Sequence, residues 1–486
     1  MSLPRTASSK KALQVKSSKA QIRRRYQSKF DVEFSSSNQL TAFAGLVLLD
    51  DLIRALDLRR RLRAVFREKR NGRIFAAWRN VLLVVVHFSL GFRRMRQMRW
   101  YRTDPLVHRL VGVSVLPDER TVNRTLGSVS GAEEERFDEL IGTLVTERLA
   151  RQRFKRVFID FDGSVISTAG HAEGSAVGFN KARKGERSYY PLFCTVAETS
   201  QFLSMLHRAG NVHDSNGACE FIARNVELIR KSCPQTAVLA RLDSAFMSQD
   251  VVETLQMEKV CFTISAPFER LPALKRLIEN RKRWRRADKA TGFFETNWCP
   301  KSWKEVGPQR MIFVRHRRRE QLKGPLQLDL FRPVHHRYEY QVIMTNDRKS
   351  DVATLIARQQ GRGAQEKLFG EAKQNAALSV VHGRHLVLNR MGHRISMLTH
   401  NLSRELQIRA NAPRRDPSPV ATARWRFSTL RTLSNTLIRQ AGAIVRPQGR
   451  AVIRMNRNDH VMHAFQSIRS ALRTREMDPP SAGLPD

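Results

Sequence analysis

Cysteine is scarce in this sequence, and the cysteines that are present lie far apart. The 486 residues include five of them, with no C-x-x-C pair and no short Cys/His spacing. Neither a zinc module nor a disulfide framework is therefore expected, and a reducing cytoplasm suits such a chain. The fourteen histidines show no metal-ligand spacing either. A metal site in this protein would therefore use oxygen ligands, which favours Mg²⁺ or Mn²⁺ over zinc.

Long apolar runs are also missing. The longest, VLLVVVHFSLGF at residues 81–92, is too short to span a bilayer, and the N-terminus lacks an apolar signal core. We expect a cytoplasmic protein with no membrane partner.

Acidic residues are heavily outnumbered. Lys and Arg total 86 against 45 Asp and Glu, which leaves a formal charge of +41 and a pI near 11.3. Such a chain repels itself unless something polyanionic offsets its charge, and nucleic acid is the expected partner. A merely soluble basic protein is the less favoured interpretation.

Composition and hydrophobic periodicity divide the chain into six segments. Helical periodicity comes first, an alternating pattern follows, and helical periodicity returns near residue 352. The predicted segments are a basic mobile arm (1–38), a helical DNA-binding domain (39–150), the first part of an α/β core (151–267), a β-rich insertion (268–350), a further core segment that is helical (351–410) and a basic helical tail with a disordered end (411–486). The helical segment after the arm could equally be a packing platform.

The α/β core is predicted from short apolar runs bounded by turn residues. Strands are expected at 153–167, twice within 189–208, at 237–244 and at 259–267, with a helix at 217–232.

Two aspartates are expected where buried strands end. In VFIDFDGS, Asp160 and Asp162 share one face of a strand, and Asp162 is followed by Gly163 and Ser164. Asp243 follows the apolar run AVLARL in the same manner. A single Asp-Gly-Ser is more often a turn cap, but two strand-end acids indicate metal-dependent phosphate chemistry, without identifying its substrate. Asp160 is a further candidate for the site.

A third acid is expected on a helix within residues 357–375. Arg362, Glu366 and Lys373 are offset by four and seven residues, so they stay within roughly 40° of one line on a helix. Glu371 lies about 140° from Glu366 and is predicted to be solvated, although it is the alternative third acid. The glycines nearby lower helix propensity, so the helix is expected to begin near residue 363 with Arg362 in its cap.

These pieces, in this order, resemble the transposases of bacterial insertion sequences, which carry an acidic DDE triad on an RNase H-like fold. Their third motif is Tyr, two residues, Arg, three residues, Glu, six residues, Lys. This chain has Gln359, Arg362, Glu366 and Lys373 at that spacing and departs only at the Tyr position. The DFDGS doublet, EGSAVGFNKARKGERSYYPL and RLDSAF are similar to the insertion-sequence family numbered thirteen-eighty. The resemblance covers residues 40–410 and leaves in doubt the DNA contact that the missing Tyr would make.

The resemblance implies a function and a site. Asp162, Asp243 and Glu366 would bind Mg²⁺ or Mn²⁺, while Arg362 and Lys373 would hold phosphates. The enzyme would cleave DNA at the terminal inverted repeats of its element and join the ends to target DNA, as cut-and-paste transposition requires. A homodimeric synapse on the bacterial nucleoid is implied as well. The alternatives are an inactive end-binding protein and an RNase H-like nuclease.

Other residues have two interpretations each. Lys181, Arg183, Lys184 and Arg187 form either a solvated turn or phosphate contacts beside the first acid, and we favour contacts. The insertion's tryptophans suit stacking on unpaired bases or core packing, and Trp298 is our candidate for DNA binding. Asp214 and its neighbour His213 are interpreted as parts of a turn and are left out of the site. 

Overall fold

The computed structural model describes residues 39–67, 75–168, 170–317, 338–414 and 422–474. From Gln39 onward these residues belong to one compact unit. The predicted mobile arm (1–38) and the end of the predicted tail (475–486) lie outside the described residues.

Helices dominate both ends of the described chain, as the apolar periodicity predicted. Two of their N-termini have aspartate caps, because Asp104 and Asp118 accept hydrogen bonds from backbone N–H groups of the first turn. The helices are α1 (Leu46–Ala55), α2 (Leu58–Val65), α3 (Ala77–Ser89), α4 (Pro105–Val111), α5 (Glu119–Gly127), α6 (Gly131–Gln152), α7 (Ala218–Ser232), α8 (Gln249–Met257), α9 (Pro272–Glu279), α10 (Val352–Gly361), α11 (Ala364–Asn375), α12 (Leu386–Ala410), α13 (Leu430–Leu433) and α14 (Asp459–Thr474).

Within the described residues, the strands form one large mixed sheet and two small ones. They are β1 (Leu40–Thr41), β2 (Arg156–Gly163), β3 (Ile166–Ser167), β4 (Ala176–Val177), β5 (Arg187–Tyr189), β6 (Leu192–Val196), β7 (Gln201–Leu206), β8 (Ala237–Leu242), β9 (Cys261–Ser265), β10 (Arg285–Arg286), β11 (Thr291–Trp298), β12 (Gln309–Arg317), β13 (Tyr338–Thr345), β14 (Gly442–Val445) and β15 (Val452–Met455). The large sheet has nine strands in the order β10-β11-β12-β13-β9-β8-β2-β6-β7. The predicted mixed α/β architecture is thereby confirmed.

The centre of this sheet places the strands that carry acids side by side. β2 is parallel to β8 and antiparallel to β6, and β8 is parallel to β9. The predicted strands of the core therefore all exist and are adjacent. Helices α7 and α8 contribute apolar side chains to the same core as these strands.

The segment predicted as a β-rich insertion does form strands, and they extend the core sheet. β13 pairs antiparallel with β9, and β12, β11 and β10 follow in turn. Because backbone hydrogen bonds continue from β9 into β13, the two predicted segments share one sheet.

Helix α12 is buried along nearly its whole length. Its apolar side chains join those of α1 to α6 in one hydrophobic core, which also receives Phe193 and Phe202 from the sheet. Arg394 of α12 pairs with Glu134 and Asp138 of α6. The N-terminal helices are thus packed around a core helix, and the predicted domain boundaries stay predictions.

The predicted helical tail also contains a short hairpin. β14 and β15 pair antiparallel, and β14 pairs with β1, so the start of the described chain meets its last part. In the part of the chain that the structure describes, no helix has the length and apolarity needed to cross a membrane.

Candidate active site

Asp162 and Asp243 meet at one edge of the large sheet. Asp162 is the penultimate residue of β2, and Asp243 directly follows β8. The two strands are parallel, with Phe161 aligned to Leu242, so the next residue of each strand lies at the same level. Neighbouring strands are only about 4.8 Å apart, which brings these two acids close together. The predicted strand-end position is confirmed for both.

The surroundings of Asp162 disfavour its negative charge. Its side chain is 17% exposed, and Arg362 Nη1 donates a hydrogen bond to Oδ2 at 3.0 Å. Burial raises the pKa of the Asp162 carboxyl to about 7; Arg362 opposes this rise, whereas the charges of Asp243 and Asp214 add to it.

Asp243 has a similar environment. Its Oδ1 accepts a hydrogen bond from the Ala245 backbone N–H at 3.0 Å. Burial raises the pKa of Asp243, Arg362 opposes the rise, and the charge of Asp214 adds to it. Two half-buried carboxylates whose charge is disfavoured form a donor set that fits a hard divalent cation such as Mg²⁺ or Mn²⁺.

The break between helices α10 and α11 places Arg362. α10 ends at Gly361, α11 begins at Ala364, and Arg362 lies in the turn between them, as the glycines predicted. Arg362 and Gly363 keep helical dihedral angles, so the helical spacing continues through the turn. The Arg362 side chain can therefore reach Asp162 while α11 follows on the same course.

Two glutamines fasten this helical segment to the two strands that carry the acids. Gln359, which stands at the motif's Tyr position, is buried; its Nε2 donates to the Leu242 carbonyl at 2.9 Å, and its Oε1 accepts from the Thr263 hydroxyl at 2.6 Å. Gln365 Nε2 donates to the Asp160 carbonyl at 3.0 Å. The residue at the Tyr position thus braces the sheet from within and has no face open to DNA.

Glu366 lies in the first turn of α11 and is exposed. It makes no hydrogen bond or ion pair with another described residue. Two cations share its helical line: Arg362 contacts Asp162 at the end of β2, and Lys373 Nζ donates to the carbonyl of Val165, just after β2, at 2.9 Å. Among the residues that the structure describes, no three His, Cys, Asp or Glu side chains are grouped closely enough to hold a metal ion. The structure therefore brings together the two aspartates and leaves Glu366 outside that pair.

The other two candidate acids have structural partners. Both carboxylate oxygens of Asp160, which is 2% exposed, accept from Arg241, at 2.5 and 2.7 Å. Glu371, the alternative third acid, pairs with Arg404 and accepts from the Leu430 N–H at 3.0 Å. The expectation that Glu371 is solvated is wrong, because this acid joins α11 to α12 and α13.

Asp214 lies beside the site, although its sequence context indicated only a turn. It is buried, its Oδ2 accepts from the Tyr190 hydroxyl at 3.0 Å, and Arg208 Nη2 contacts its Oδ1 at 3.2 Å. Its charge raises the pKa values of both Asp162 and Asp243. No local pattern in GNVHDSN distinguishes this acid from an ordinary turn aspartate, since its neighbours in space come from other strands.

The basic segment that leads into β5 contains two kinds of residue. Lys181, Arg183 and Lys184 are exposed, and Arg183 pairs with Glu186 at 3.3 Å. Arg187 is half-buried, and its Nε donates to the Ser175 hydroxyl at 3.1 Å. Three residues thus remain accessible to a phosphate backbone, whereas Arg187 holds the turn itself.

The tryptophans of the β-rich segment, Trp284, Trp298 and Trp303, are half-buried against the hydrophobic core of the sheet. Trp284 packs edge-on against Phe294, with ring centroids 4.8 Å apart, and Arg315 lies over its ring. Core packing accounts for these contacts, and base stacking by Trp298 stays a prediction.

Comparison with family models identifies one family. Residues 24–477 match the family model described as "Transposase DDE domain group 1". No curated protein matches the chain. Similar solved structures include a piggyBac transposase synaptic complex with hairpin DNA, with 10% identity over 90% of this chain and 82% of that chain and a TM-score of 0.35. The Mos1 mariner paired-end complex with Mn has 13% identity over 32% and 52%, with a TM-score of 0.17. The Mos1 paired-end complex with the left transposon end has 10% identity over 40% and 61%, with a TM-score of 0.17.

Proposed function

Because this chain belongs to the family of transposases with a DDE domain, we propose that Asp162, Asp243 and Glu366 are its catalytic triad. The protein is a DNA transposase, an enzyme that cleaves DNA, transfers strands and depends on divalent metal ions. What we add is the assignment of these activities to particular side chains.

One observation carries the assignment. The parallel pairing of β2 with β8 sets Asp162 and Asp243 level at the same sheet edge, and Arg362 of the third motif donates a hydrogen bond to Asp162. All three sequence motifs of the resemblance therefore contribute to this edge. Isolated turn caps would not converge in this way.

Glu366 is proposed as the third acid because of its position on the helix. It lies between Arg362 and Lys373 on one helical line, and both of these cations contact β2 or the residues just after it. Glu371 is paired with Arg404 on another face of the helix, so its carboxylate is already engaged. Glu366 has no such partner among the described residues.

The proposed roles follow from charge and position. Asp162, Asp243 and Glu366 would hold Mg²⁺ or Mn²⁺, which when bound supply the Lewis acidity that activates the attacking oxygen and stabilises the leaving one. Arg362 and Lys373 would orient the scissile strand by hydrogen bonds to its phosphates. Lys181, Arg183 and Lys184 would hold neighbouring phosphates at the rim.

The finer identity is also part of the proposal. We place the protein in a bacterial insertion sequence of the family numbered thirteen-eighty, acting on the nucleoid as a homodimer that pairs two terminal inverted repeats and inserts them into target DNA. A mixed sheet with acids at the ends of two adjacent parallel strands, β2 and β8, supports an RNase H-like core.

The test is a cleavage assay on a linear DNA fragment that bears the ends of the element, with Mg²⁺. We expect Asp243→Asn and Glu366→Gln to abolish nicking while end binding stays nearly intact, because each removes one carboxylate and little of the basic surface. Glu371→Gln is the matched control on the same helix, and it should still nick DNA.

The outcomes are distinct. Undiminished nicking by Glu366→Gln with loss in Glu371→Gln would move the third acid to Glu371. Binding without nicking by the wild-type protein would favour an inactive end-binding protein, and nicking without joining of a 3′-hydroxyl end would favour a nuclease.

A further inference from the structure

The loop between β7 and α7 brings a further acid to the edge where Asp162 and Asp243 meet. We propose that Asp214 is a positioning residue of this site, whose negative charge, held in place by Arg208, increases the site's affinity for a divalent cation. This inference rests on the proposed function, since it presupposes that Asp162 and Asp243 bind that cation.

Arg208 holds the loop in place. Its guanidinium is buried, and Nη1 donates to the backbone carbonyls of His213 and Asn216, both at 3.0 Å. Nη2 contacts Asp214 Oδ1 at 3.2 Å, while Nε donates to the Tyr190 carbonyl at 3.2 Å. A single side chain therefore binds the loop, its acid and the residue that follows β5.

The carboxylate of Asp214 packs directly on the end of β2. A methyl group added at Gly163 would lie 2.6 Å from Asp214 Oδ1 and 2.4 Å from Tyr190 Cζ. Gly163 follows Asp162 immediately, so Asp214 and Tyr190 close over the backbone next to the first acid. Only glycine leaves the space for this approach.

Both oxygens of the Asp214 carboxylate accept hydrogen bonds, Oδ2 from Tyr190 and Oδ1 from Arg208. The amide of an asparagine has one acceptor oxygen, so it would replace only one of these contacts. These contacts fix the carboxylate against Gly163, where it adds negative charge next to Asp162 and the neighbouring Asp243. Repulsion between these carboxylates destabilises the metal-free protein and is relieved when a cation binds. Functional sites commonly carry such a local loss of stability.

The experiment measures Mn²⁺ affinity of the full-length protein by titration calorimetry without DNA. We expect Asp214→Asn to weaken Mn²⁺ binding roughly tenfold or more, as loss of an outer-shell partner typically does, because the variant also leaves the Arg208 charge uncompensated. Tyr190→Phe keeps the charge of Asp214 and should bind Mn²⁺ almost as tightly as the wild type. Glu371→Gln removes an arginine-paired acid away from the site and should have no effect. Metal-free binding to end DNA should not weaken in any of these variants.

The outcomes separate this inference from the proposed function. Wild-type Mn²⁺ affinity in Asp214→Asn, together with a loss in Asp162→Asn, would overturn the role of Asp214 and leave the proposed site intact. Unchanged affinity in both variants would overturn the proposed site itself. An equal loss in Tyr190→Phe would show that charge is not the cause. If Asp214→Asn does not fold, Gly163→Ala serves instead: it changes no charge but displaces the carboxylate, so weaker Mn²⁺ binding supports the inference and unchanged binding contradicts it.

Discussion

Strand β2 carries two acid–arginine pairs on one face, and they differ in their surroundings. Asp160, in the middle of the strand, is 2% exposed and gives both oxygens to Arg241. Asp162, at the strand end, is 17% exposed and shares one hydrogen bond with Arg362. The inner pair, Asp160 with Arg241, is shielded from solvent, whereas the outer pair, Asp162 with Arg362, is partly exposed.

The difference teaches how the two acids are to be interpreted. A buried acid whose oxygens are all engaged has no coordination site left, and Arg241 further donates to the Arg358 carbonyl at 3.2 Å, which ties the pair to α10. An acid that is half-buried, singly bonded and close to other acids retains lone pairs for a metal ion. Asp160 and Asp162 are the same type of residue, so their positions along the strand decide which one is structural and which one is available to a metal ion.

The largest expected effect comes from neutralising the outer acid. Asp162→Asn should slow DNA nicking by about a thousandfold or more, since a metal ion contributes several kcal/mol to the barrier and each 1.4 kcal/mol is about tenfold. Asp160→Asn, assayed well below its unfolding temperature, should nick DNA at a rate close to that of the wild type. If folded Asp160→Asn is inactive while Asp162→Asn nicks DNA, the roles assigned to the two acids are wrong.

The loss of stability, in contrast, should be larger for Asp160→Asn than for Asp162→Asn. Asp160→Asn leaves the buried Arg241 without its counter-charge, which typically costs about 3–5 kcal/mol in the free energy of unfolding. Urea unfolding followed by circular dichroism measures this loss. A stability equal to that of wild type would mean that the inner pair is not structural.

A smaller effect is expected where α10 meets β8. Gln359→Ala removes the side chain that binds the Leu242 carbonyl and the Thr263 hydroxyl, and leaving such buried groups unpaired costs about 1–3 kcal/mol. Gln360→Ala, at the exposed residue next to Gln359, is the control and should match the wild type in thermal unfolding. We also expect slower nicking by Gln359→Ala, because Leu242 precedes Asp243; a rate equal to that of the control would argue against this brace.

A prediction of a different kind concerns pH. In the folded protein the pKa of Asp162 is about 7, above its usual unfolded value near 4. Between these values the folded state binds the extra proton, so stability from this group is lost as pH rises from about 4 to 7 and levels off above. Asp162→Asn cannot lose that proton, so its unfolding temperature relative to wild type should increase across this window in metal-free buffer. A constant difference from pH 4 to 8 would contradict the inference that burial and the neighbouring acids raise the pKa of Asp162.

Much of the site could be predicted from sequence because its parts are local. The strand-end positions of Asp162 and Asp243 follow from apolar runs that stop at each acid, and the helix break beside Arg362 follows from glycines. Asp214 and Glu371 could not be interpreted in this way. The partners that define them, Tyr190 and Arg208 for one and Arg404 for the other, come from elements that only folding brings near.

The sequence by itself determined the elements, the charge and the order of the three motifs, because hydrophobic periodicity and motif spacing are properties of the chain read locally. Only the tertiary structure decided which acids remain open. Burial and hydrogen-bond satisfaction depend on residues far apart in the chain, so two aspartates on one face of β2 can have opposite roles.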